Sequence, residues 1–173
     1  MKARFTIATT LCLSLGTGPL ANATTQGAAI QTPAKGTVMT SQANGTFDVK
    51  VAPLPNDEKV PGLTVGRMSI DKQWKGDFEG TSKGEMMTTG SEVKGSGGYV
   101  AVEQMTGSLK GRRGAFTFIH QATMRQNSDF SMSIKVVPDS GTGQLVGLTG
   151  TLTIIIEGSK HSYKFDYTLP EAK

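Results

Sequence analysis

Two side chains in this sequence stand out as able to hold or move a proton, the carboxylate of Glu103 and the imidazole of His120. Either would be costly to bury alone on an apolar surface, and together they compensate each other. The carboxylate favours the protonated imidazole while loss of water disfavours it, so a buried pair of this kind is expected near neutrality, as a proton donor or acceptor. The same pair serves equally as a hydrogen-bonded fastener of strand register, because a buried ion pair testifies only to its own satisfaction. Glu79 is a second-rank candidate that turns to the polar side if Phe78 points inward. His161, beside a turn, is expected in solvent, and Cys12 lies in the N-terminal apolar stretch. No spacing matches a metal-ligand pattern, so neither a metal nor a cofactor is expected. Gly141-Thr142-Gly143 lacks the lysine and following helix of a phosphate loop. It reads as a strand connection in which glycine supplies positive φ.

What would bring Glu103 and His120 together is a hairpin. Runs of alternating apolar and polar residues at about 99–109 and 113–125 flank Lys110-Gly111-Arg112-Arg113. A type II′ turn with Gly111 and Arg112 as its loop residues sets Glu103 opposite His120, Met105 opposite Phe118, Ala101 opposite Ala122 and Tyr99 opposite Met124. The face carrying Tyr99, Met105, Phe118 and Met124 is the expected interior. On the other face Val102 meets Gln121, Gln104 meets Ile119 and Thr106 meets Thr117. The opposition depends on the turn, and a slip of one loop residue breaks it.

The rest of the chain supplies more strands of the same kind. Phe47, Val49 and Val51 form one dry face before Pro53-Leu54-Pro55-Asn56-Asp57, and further runs cover about 63–74 and 77–88. A sixth carries Phe130, Met132, Ile134 and Val136. In the last two, a II′ turn at Gly158-Ser159 sets Ile156 opposite His161, Ile154 opposite Tyr163 and Leu152 opposite Phe165. Eight strands with one dry face each fit an all-β, closed antiparallel barrel, with a two-sheet sandwich as the alternative. Lone Trp74 either lines a ligand site or seals one end, the seal being the preferred reading.

Glycine contributes 22 of 173 residues, nearly twice the usual share of about 7%. That richness, without helix-favouring blocks, argues against helical bundles. Residues 1–23 have the layout of a secretory signal peptide: Lys2 and Arg4, an apolar stretch through Leu15, and Ala21-Asn22-Ala23 as the cleavage signal. Cleavage there removes the only cysteine and two of 18 basic side chains, leaving a net charge of +2 against 14 acidic ones. Such a balance has no basic stripe for nucleic acid, and no membrane attachment is expected after cleavage. Residues 24–43 read as a flexible leader and 44–170 as one barrel domain, periplasmic or secreted.

The segments Gly76-Asp77-Phe78-Glu79-Gly80-Thr81-Ser82, Gly98-Tyr99-Val100-Ala101-Val102-Glu103, Gly114-Ala115-Phe116 through His120, and Ser140 through Gly150 resemble the domain of unknown function 3224 family over about 45–169. Gly141-Thr142-Gly143-Gln144-Leu145 is also similar to the corresponding stretch of allene oxide cyclases and dirigent proteins. The resemblance implies their eight-stranded barrel and leaves the chemistry undetermined, since fold does not carry function. The leading expectation is a binding module for a small, mostly apolar molecule, its lumen lined by Tyr99, Met105, Phe118 and Met124, with Glu103 and His120 as polar anchors. The alternatives are a cofactor-independent isomerase or cyclase, in which Glu103 and His120 are catalytic and transfer a proton, and a structural or interaction protein with a filled barrel.

Overall fold

A computed structural model describes residues 40–55, 64–126 and 130–171. Its eight strands are β1 (Ser41–Leu54), β2 (Val65–Gly76), β3 (Phe78–Gly90), β4 (Gly97–Leu109), β5 (Arg112–Met124), β6 (Phe130–Val136), β7 (Thr149–Glu157) and β8 (Lys160–Thr168). Each pairs antiparallel with the next and β8 returns to β1, closing a barrel. The sandwich alternative is thereby excluded. β1 starts earlier than the alternation suggests. Ser41 to Ala43 pair with Tyr167 to Phe165, so the last three residues of the expected leader belong to the barrel. The expected signal peptide, residues 1–23, lies outside the described residues.

Closure is uneven around the ring. β2 to β5 are registered along nearly their whole length, whereas β6 and β7 share a single registered pair, Lys135 with Thr151. Below that pair the connection after β6 runs beside β5, where the Val137 amide donates to the Thr117 carbonyl and the Thr142 amide to the Ala115 carbonyl. A single 3-10 turn, Gly143–Leu145, lies in this connection, with Gly143 at φ +58°. Leu145 and Leu148 are buried by it and cap that end of the barrel.

The interior divides into two halves. Toward the end carrying the β2–β3 and β4–β5 connections, Phe47, Trp74, Phe78, Phe116, Phe118, Tyr163 and Phe165 fill the lumen. Their rings meet edge-on between Phe116 and Phe118 and between Trp74 and Tyr163, at 5.1 Å in both cases. Such packing adds to the area term that dominates aromatic burial. Trp74 is buried among these rings. Toward the other end the inward positions loosen: Met68, Met86, Tyr99, Met132 and Ile154 are half-buried, while Met124 and Phe130 are exposed. Val49 and Val51, expected on a dry face, are also exposed because β8 pairs with β1 only as far as Thr46.

Sharp curvature near the sealed end needs small residues. Gly80, Gly107 and Gly114 are neighbours on β3, β4 and β5, and a Cβ on Gly107 would sit 2.2 Å from the Glu79 carbonyl oxygen. Backbone cannot yield as a side-chain tip can, so Gly107→Ala is expected to cost about 1–3 kcal/mol in urea denaturation. A loss below about 0.5 kcal/mol would show that the strands separate there without penalty.

Candidate functional site

The β4–β5 hairpin differs from expectation by one loop residue. Its loop is Lys110-Gly111, at φ 47° and 85°, and positive φ at both positions makes it type I′. Leu109 pairs with Arg112, and the register moves by two along the strand. Glu103 therefore faces Phe118, and His120 faces Ala101. A shift of two keeps every side chain on its face, because side chains alternate with period two. Glu103 and His120 thus remain inward as diagonal neighbours, with Nε2 of His120 at 2.9 Å from Oε2 of Glu103.

Two further side chains join them. Lys72 on β2 brings Nζ to 2.8 Å from the same Oε2. Ser82 on β3 donates its hydroxyl to Oε1, and Trp74 Nε1 donates to the Ser82 oxygen at 2.8 Å. All four polar residues are buried, Glu103 completely. The Lys72 ammonium also lies over the rings of Phe47 and Trp74, at 5.0 and 5.2 Å from their centroids. Cation–π attraction of this kind strengthens as water is removed. Lys72 and Ser82 are legible as inward residues: Ile70 and Trp74 bracket Lys72 at two-residue spacing, and Ser82 shares the parity of Phe78.

Burial by itself would raise the Glu103 pKa, and it is the largest single influence. The approach of His120, the charge and hydrogen bond of Lys72 and the Ser82 hydroxyl outweigh it, holding the carboxyl at about 2 instead of its usual 4.5. Glu103 is an anion at any physiological pH. His120 is less well served, because Nε2 approaches Oε2 off the line of a directed hydrogen bond and has no other partner. Among the described residues neither its Nδ1 nor the Tyr99 hydroxyl has a hydrogen-bond partner, and neither atom is fully shut off from solvent. Burial, and secondarily the Glu103 charge, push the Tyr99 phenol up, so it stays protonated.

The other expected site residues separate by level. Met105 and Phe118 are buried in the sealed half, Tyr99 stands on the loose side of the polar cluster, and Met124 is exposed at the rim. Met105 and Phe118 are therefore packing rather than lining, and Met124 only rims the opening. Glu79 is exposed on the outer wall opposite Ser108, as its parity predicts. His161 departs from the expectation of a solvated residue: it is half-buried, its ring 5.3 Å from that of Phe47. Among the described residues no three His, Cys, Asp or Glu side chains gather as a metal site. A cavity of about 470 Å3 is lined mostly by outward residues such as Met87, Val100 and Thr123, and also by Tyr99 and Ala122.

The family described as "Protein of unknown function (DUF3224)" matches residues 43–167. Among solved structures, the chain is similar to a protein of unknown function from the DUF3224 family of Shewanella oneidensis MR-1. The two are 41% identical with a TM-score of 0.71, covering 78% of this chain and all of that one. No curated protein matches.

Proposed function

Because the chain belongs to the DUF3224 family, for which no role is described, we propose a function from the barrel's own geometry: it binds a small, mostly apolar molecule in its loosely packed half. The observation that carries this reading is a buried polar cluster with its hydrogen bonding incomplete. His120 Nδ1 and the Tyr99 hydroxyl lack protein partners, and they lie below a wall that includes Met68, Met86 and Met132. Both atoms are reachable by solvent and lie at one level beside apolar side chains, and a few polar groups in an apolar wall are what orients a guest. Methionine walls adapt their shape at little cost, which suits apolar guests.

The isomerase alternative asks Glu103 to exchange a proton. A carboxyl held at about 2 and engaged by Lys72 and Ser82 is poorly matched to that task, so binding without turnover is the reading favoured. Kinship with the allene oxide cyclase-like barrels is part of the same proposal, supported by the closed eight-strand ring and by Gly141-Thr142-Gly143-Gln144-Leu145. The setting is periplasmic or secreted, on the strength of the N-terminal charged, apolar and Ala-x-Ala pattern.

The test is uptake of the apolar fluorophore N-phenyl-1-naphthylamine. Saturable enhancement at one site per chain is expected, and Met86→Lys, which sets a charge into the wall, should weaken it at least about tenfold. Non-saturable enhancement, or an affinity indifferent to Met86→Lys, would remove the proposal.

A further inference from the structure

Resting on the reading of the loose half as a ligand site, the hydrogen-bonding inventory at its floor narrows the chemistry of the ligand's polar end. Glu103 is fully committed: Oε1 accepts from Ser82, and Oε2 accepts from Lys72 while facing His120. The Lys72 and Glu103 charges cancel, and the ammonium is further enclosed by the faces of Phe47 and Trp74. A nitrogen lone pair 2.9 Å from an ionised oxygen would be repelled, so Nε2 of His120 carries the proton. In the neutral imidazole Nδ1 then presents a lone pair, and no group among the described residues donates to it.

Tyr99 is the inward residue preceding Ala101, which faces His120 across the β4–β5 ladder. Phenol and imidazole are therefore diagonal neighbours on one inner surface, and the buried alanines Ala101 and Ala122 beside them bring no bulk. The floor thus offers one acceptor, one donor and no uncompensated charge.

We infer that the ligand is an uncharged, hydroxyl-bearing apolar molecule, an alcohol or a phenol, whose hydroxyl donates to Nδ1 of His120 and accepts from the Tyr99 hydroxyl. One such group satisfies both open positions at once. A carboxylate would set its own lone pairs against Nδ1 and its charge near Glu103. An ammonium would add an unpaired cation beside Lys72. Both meet the low-dielectric penalty that a neutral hydroxyl avoids.

The test uses the full chain with three ligands sharing one tail: octan-1-ol, octanoate and octylamine, each displacing N-phenyl-1-naphthylamine at pH 7.5. Octan-1-ol is expected to bind at least about tenfold more tightly than either ion, a difference of about 1.4 kcal/mol. It should also shift the His120 ring nitrogen resonances, which octane should not. Tyr99→Phe removes only the donor and should reduce the alcohol-to-acid ratio to about threefold or less. Equal or tighter binding of either ion, or a ratio untouched by Tyr99→Phe, overturns the inference. Uptake of the fluorophore without any preference for the hydroxyl defeats the head-group assignment alone. Failure of the fluorophore to bind, with all three ligands inert, defeats the binding reading as well.

Discussion

Glu103→Ala should destabilise the barrel by about 3–5 kcal/mol, because it strands a buried ammonium. The Lys72 side chain is only 6% exposed, and its sole ion-pair partner among the described residues is Glu103. The same substitution deprives the Ser82 hydroxyl of its acceptor and leaves His120 beside an apolar wall. Most of the damage comes from the unpaired cation and little from the missing carboxylate's own attraction, so the remedy is to remove both charges. Lys72→Met combined with Glu103→Leu is expected to recover most of the stability, since apolar replacements of similar volume often match or exceed a buried pair. Urea denaturation of both single variants and the double variant measures this. A loss below about 1 kcal/mol in Glu103→Ala would mean that water reaches the cluster and solvates Lys72.

Acid should weaken the fold through the same carboxylate. The folded-state pKa of Glu103 is about 2, below the usual 4.5, so its contribution is fully present above pH 4.5. It is lost as the pH falls through that value toward 2, where the folded protein also takes up the proton. A depression of this size corresponds to about 3 kcal/mol. The sign follows from proton counting: between the two values the unfolded chain binds more protons, so lowering the pH favours it. Denaturation midpoints for the parent and for Glu103→Gln should therefore converge as the pH falls, with most of the gap closing between 4.5 and about 2. Parallel curves for the two proteins would show that the titration lies elsewhere.

Much of this architecture is readable from alternation alone. The β7–β8 hairpin forms in the expected register, Ile156 with His161 and Leu152 with Phe165, because Gly158 at φ +60° accepts the position that a II′ turn requires. The β4–β5 hairpin does not, because Lys110 takes a positive φ usually left to glycine or asparagine, and that moves the loop back by one residue. The difference costs opposition but not facing, so Glu103 and His120 meet even though the register expected of them does not occur. Lys72 is hard to see for a different reason. Lying between Asp71 and Gln73, it reads as part of a wet stretch, and only the parity shared with Ile70 and Trp74 shows otherwise. The division of the lumen is not legible at all. It arises from unequal strand lengths and from where β8 leaves β1, and both are properties of closure rather than of any single strand.

The lone Lys135 and Thr151 pairing between β6 and β7 makes the girth of the barrel adjustable at one place. A hoop gives first at its weakest clasp, while its aromatic hub stays packed. Under the proposed binding role, a small parting of these two staves would admit guests of different width with no repacking of the rings around Phe116.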